Sequence, residues 1–202
     1  MRVGFAVECH RDGADHKVIE HLVSVLNPRI EPFFLWSGSK RILLRDCGTH
    51  VEELFDNYEC ERAIVVWDLI PSDAEHQHEG KSCRKKEREH FFGKLRPQDR
   101  GRTVLLCIPQ ELEAWLLADS DALKAVLGSA SHPVRRIRNV LRPEEEANPK
   151  TTLIRLFNEH SPWPYNDAVH AVKIIKNVKD LSKLEKLPSF ARFKQKLEAL
   201  KP

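Results

Sequence analysis

The chain has 202 residues, 41% apolar and 31% charged, with a formal net charge of +3. That length suits a single domain that buries a core without disulfides or structural metal, and so small a net charge means any contact with nucleic acid must come from local patches. Cys9, Cys47, Cys60, Cys83 and Cys107 form no CxxC pair, and no apolar run nears the roughly 20 residues of a membrane span, which excludes a disulfide scaffold and a membrane-spanning helix.

The opening MRVGFAVECH enters a strand pattern directly, with Val3, Phe5 and Val7 in residues 2–8. No secretory leader is expected there, and the reduced thiols fit a cytoplasmic protein. Val18, Ile19, Leu22, Val23 and Leu26 then share one helical face, which Asn27 and Pro28 end. A second strand is expected over residues 30–36, followed by about two helical turns around Val51, Leu54 and Phe55. The third and fourth strands, residues 62–68 (AIVVWD) and 102–109 (TVLLCIP), are apolar at successive positions, as strands covered on both faces are. Residues 82–95 between them suggest a charged helix.

After Pro109 the pattern turns helical. Leu112, Trp115 and Leu116, then Leu123, Val126 and Leu127, mark short helices with Asp119 or Ser120 as a cap between them. The segment 128–149 carries Gly128, Pro133, Pro143 and Pro149 and is expected to be a loop or insert. Leu153, Ile154 and Phe157 form a further face; residues 172–178 suit a helix or a short strand; and Ser189 is expected to cap a last helix bearing Phe190, Phe193, Leu197 and Leu200. The whole predicts an α/β fold: a four-stranded, mainly parallel sheet of order 2-1-3-4 with helices on both faces, over residues 1–127. Residues 150–202 form a C-terminal helical layer packed on that core.

The acids that chemistry would use stand at strand ends. Glu8 closes the first strand, Asp68 closes the third with Asp73 following, and Glu111 and Glu113 follow the fourth. Ligands of open α/β sheets bind at the carboxyl ends of strands, and in a 2-1-3-4 order Glu8 and Asp68 end neighbouring strands about 5 Å apart. Clustered carboxylates either take up protons or hold a cation, and oxygen ligands select Mg²⁺ or Mn²⁺. The plainer reading of each acid is a cap on the helix that follows.

A strand ending in Glu8 and a buried strand ending in Asp68, with Asp73 nearby, resemble a Toprim domain. More closely, VVWDLIPSD (65–73), SCRKKERE (82–89), PQELEAWLLAD (109–119), NPKTTL (148–153) and LPSFARFKQKL (187–197) resemble domain-of-unknown-function family 4276, a bacterial group with a Toprim-like core. The resemblance implies Mg²⁺ held by Glu8, Asp68 and Asp73, nuclease-type phosphoryl transfer, and association with an ATPase in phage defence. The chain departs from the Toprim pattern in that Cys9 follows Glu8, Asp12 and Asp15 compete for the next acidic place, and four residues separate Asp68 from Asp73.

Two basic runs, Arg84, Lys85 and Lys86, and Arg135, Arg136 and Arg138, suit contact with DNA or RNA phosphates, or simply solvated faces. Glu87 and Glu89 interleave the first run and favour the solvated reading there. His76, His78, Cys83 and His90 match no standard zinc spacing, and no phosphate-binding glycine motif is present. Two functions follow: a Mg²⁺-dependent phosphodiesterase or nuclease using Glu8, Asp68, Asp73 and Glu113, with Glu111 near the metal, or a non-catalytic module that binds nucleic acid or a partner protein.

Overall fold

The computed structural model describes residues 1–70, 77–78, 81–129 and 133–200. The elements run β1 (Arg2–Val7), α1 (Ala14–Leu26), β2 (Glu31–Trp36), α2 (Lys40–Asp56), β3 (Arg62–Asp68), a minimal antiparallel hairpin β4 (Gln77–His78) and β5 (Lys81–Ser82), then α3 (Arg84–Lys94). After β6 (Thr103–Ile108) come α4 (Glu113–Leu116), α5 (Ser120–Leu127), α6 (Pro149–His160), α7 (Asp167–Lys176), α8 (Ser182–Glu185) and α9 (Pro188–Ala199).

The expected topology is present. The main sheet has the order β2-β1-β3-β6, every pair parallel, with Val7 beside Val66 and Asp68 beside Ile108. Because side chains alternate along a strand, each strand feeds two apolar layers. Val3, Phe5, Ile64, Val66 and Leu106 join α1, α4, α5, α6, α7 and α9 in the larger layer. Ala6, Val65, Trp67 and Cys107 join α2 and α3 in the smaller one. The C-terminal helices thus belong to the same core as β1 and α1.

Several local expectations are corrected. The second helix is far longer than two turns: Ser39 caps it at the Ile42 amide, and it spans 17 residues. Its Gly48 looks like a helix breaker, but a Cβ there would lie 2.4 Å from the Lys94 carbonyl oxygen, so glycine permits α3 to end against α2. Of the two alternatives for residues 172–178 the helix is present, over 172–176 within α7. Ser189 is not the cap of α9: the helix starts at Pro188, and the buried Ser189 hydroxyl accepts a bond from Trp115 Nε1 at 2.7 Å and bonds the Glu144 carboxylate. Residues 128–129 and 133–148 are loop, as expected, apart from a 3₁₀ turn at Pro143–Glu145, and Pro149 already belongs to α6.

Candidate active site at the carboxyl edge of the sheet

Register decides which acids meet. Val7 pairs with Val66, so the next residue of β1 lies against the end of β3. There the Glu8 and Asp68 carboxyls come close enough for Glu8 to raise the proton affinity of Asp68. Burial and then the nearby Asp15 push Glu8 up to about 8. Burial, Glu8, Asp15 and Glu113 raise Asp68 well above the usual carboxylate range. Glu8 Oε2 is buried and has no hydrogen-bond partner.

Asp15 supplies the third acid, from the first turn of α1. Of the two competing acids after Glu8, Asp12 is exposed, with φ of 64°, while Asp15 turns toward the cluster. Burial raises Asp15 to about 6. Burial and the Asp15 charge push the Cys9 thiol up to about 12, which disfavours the thiolate. The loop carrying these groups is stitched to the next: Gly38 N–H donates to the Cys9 carbonyl at 3.0 Å. Gly38 has φ of 77°, and a Cβ on it would strike the His10 ring at 2.7 Å.

Glu113, in the first turn of α4, is 6% exposed, and burial pushes it up to about 7. Lys150 Nζ stands 3.8 Å from its carboxylate and 2.6 Å from that of Asp167. Glu111 caps α6, accepting the Lys150 amide at 3.1 Å, and so serves a helix far along the chain rather than its own. Asp68 accepts the Leu112 amide at 3.3 Å, so it also anchors the start of α4. The Tyr165 hydroxyl is buried near the same acids without a hydrogen-bond partner.

Glu8, Asp68 and Glu113 are therefore gathered at one sheet edge, with Glu111 at its rim. Asp73 lies outside the described residues, as does His76. His90 is accounted for by a 2.9 Å contact with the Leu44 carbonyl. Among the described residues, no three His, Cys, Asp or Glu side chains are arranged to hold one metal ion. The donors nonetheless suit a hard cation in kind, being all carboxylate with one buried oxygen unmatched. Glu8 and Asp68 face each other at adjacent strand ends, and burial holds both above the usual carboxylate range.

Arg84, Lys85 and Lys86 open α3 and are exposed, as are Arg135, Arg136 and Arg138. Glu87 alone departs from that solvated face: it is fully buried, accepts Trp67 Nε1 at 2.8 Å, and forms a 2.8 Å ion pair with Lys40. Lys40 Nζ also donates to the Leu69 carbonyl at 2.8 Å, just beyond Asp68. Lys150, Lys40 and Tyr165 were not singled out from sequence. The signal for Lys150 lay in the NPKTTL segment, and Asn148 there caps α6 at the Thr151 amide.

An open parallel α/β sheet with buried acids at its carboxyl edge defines the class. Within it, the model of the domain of unknown function DUF4276 matches residues 21–198, and the chain belongs to that family. The match begins after Glu8 and Asp15 and includes Asp68, Glu111, Glu113 and Lys150. No match was found among curated proteins or solved structures. No described helix is long and apolar enough to cross a membrane.

Proposed function

We propose that this protein is a Toprim-like, Mg²⁺- or Mn²⁺-dependent phosphodiesterase of nuclease type, with its site where β1, β3 and β6 end. The observation that carries this reading is the Glu8–Asp68 carboxyl pair on adjacent strand ends, where burial and repulsion from neighbouring acids raise both groups, a cost that a divalent cation would relieve. A bound cation supplies neutralisation of the charge that develops in phosphoryl transfer. Glu8 and Asp68 are its ligands, with Asp73 on the segment that follows β3. Glu113, raised to about 7, exchanges a proton near neutrality and is the general acid or base. Lys150 orients Glu113 through their ion pair. The exposed arginines and lysines at 84–86 and 135–138 bind DNA or RNA phosphates, in a cytoplasmic protein that works beside an ATPase.

The second reading, a non-catalytic module that binds nucleic acid or a partner protein, has its support in the lack of a three-acid metal arrangement among the described residues. Incubation with labelled single- and double-stranded DNA and RNA, with Mg²⁺, Mn²⁺ or chelator, separates the two. The enzyme reading expects metal-dependent cleavage that Asp68→Asn abolishes. Binding without cleavage by either metal would favour the module.

A further inference from the structure

A groove of about 490 Å³ runs along the β6 edge of the sheet and reaches in as far as Trp67 of β3. Its floor includes five successive residues of β6, Thr103 to Cys107. On a strand only alternate residues reach one face, so five in a row can line only a groove that follows the strand's edge. One wall is α3, with Arg84 and Arg88; the other is α9, with Arg192 and Lys196; and Arg100 stands over the Phe92 ring at 4.8 Å. Among the described residues, no acid lines it. Arg192 Nη2 is buried without an acceptor, so that wall carries an unmatched guanidinium.

The two edges of the sheet differ. The β2 edge contains Pro32, a residue that cannot extend a ladder. β6, TVLLCI, has no proline and offers its edge to a further strand. From these observations we infer that β6 takes up an extended acidic peptide segment of a partner protein as a fifth strand, its carboxylates meeting Arg84, Arg88, Arg100, Arg192 and Lys196. A second copy of β6 would bring the same cations against themselves. A nucleic-acid strand would match the charge, but it has no regular row of donors for the strand's carbonyl groups, whereas a peptide supplies both donors and acceptors. The groove is separate from the acidic site, and the inference stands or falls independently of phosphodiesterase activity.

The test uses the full chain and a fluorescent alternating Glu-Val peptide of about eight residues, the length of a typical strand. Anisotropy should report saturable binding that weakens with salt. The double variant Arg88→Glu/Lys196→Glu, on two exposed side chains, should weaken it by about tenfold or more. The same peptide N-methylated at alternate residues on its pairing edge should lose binding to a similar degree, which charge attraction alone would not produce. Three results would overturn the inference: no saturable binding up to about 1 mM, indifference to N-methylation, or displacement of the peptide by an equally long oligothymidylate that binds more tightly and loses affinity in the same double variant.

Discussion

Glu8 and Asp68 link the local geometry to a measurable property. A carboxyl whose proton affinity is higher folded than unfolded stabilises the native state fully below its unfolded pKa, and that stability is lost as pH rises toward the folded value. For Glu8 the window runs from 4.5 to about 8, and for Glu113 from 4.5 to about 7. Histidines 16, 21, 50 and 170 act in the opposite sense, since burial lowers each from 6.5, and their effect fades only about one pH unit above that value. Stability should therefore fall between about pH 7.5 and 8, with a slope bounded at about 1.4 kcal/mol per pH unit for one group. Glu8→Gln should flatten that slope in denaturant titrations across the range. An unchanged slope would mean that the Glu8–Asp68 pair does not hold a proton. Of these site residues, Glu8 and Asp68 were legible because each follows an apolar run directly, and Glu113 because it lies a few residues beyond one. Asp15 was ambiguous because only the turn at Asp12 decides which acid faces inward. Lys150 was hidden because a partner 37 residues from Glu113 has no local pattern.

At the scale of elements, α3 is held by its one buried acid. Its apolar face is thin, with Phe91 the buried aromatic, and Glu87 joins α3 to α2 through Lys40 and to β3 through Trp67. The Lys40 side chain is 10% exposed and that of Glu87 is fully buried, so this pair is not the weak surface kind. The contact is an ion pair more than an aligned hydrogen bond, because Glu87 Oε1 lacks hydrogen-bond geometry. Removing one partner leaves a buried charge, so Glu87→Ala should cost about 3 kcal/mol, and Glu87→Ala with Lys40→Met should recover part of it. Equilibrium unfolding of the wild type and these two variants checks this; equal loss in the single and double variants would refute the coupling. Sequence reasoning placed α3 within a few residues but misjudged Glu87, since an acid amid Arg and Lys looks solvated. What decides its burial is Trp67 Nε1, a donor 20 residues away that must be satisfied. The length of α2 was likewise masked by Gly48, whose cause is the backbone of another helix.

For the whole molecule, the C-terminal helices and the sheet share one apolar layer. Phe190 and Phe193 pack on Trp115, and α7 lies along α1. Truncation after residue 149 would uncover Val3, Phe5 and Val7's own layer and strip Lys150 from the site. The truncated chain should therefore fail to give a cooperative thermal transition, whereas the full chain should melt in a single one. A truncated chain that melts cooperatively would show that the extension is a separate folding unit. Sheet order was legible because four short apolar runs separated by helical patterns leave few parallel topologies. The role of residues 150–200 as part of one core was only partly legible, since helical periodicity reports a buried face without naming what covers it.

The central claim is that the Glu8–Asp68 pair exchanges its proton for a divalent cation. Thermal melts of the wild type and Asp68→Asn at pH 6.5 and 8, with and without Mn²⁺ or Mg²⁺, test it most directly. Metal at 100 times its dissociation constant should stabilise the wild type by about 2.7 kcal/mol. Because metal and proton compete for the same carboxyls, less metal should suffice at pH 8 than at pH 6.5. Asp68→Asn should leave the metal-free protein as stable as the wild type or more so, and should lose the response to metal. A wild type whose melting is indifferent to both metals at both pH values, or an Asp68→Asn variant that responds as the wild type does, would contradict the claim.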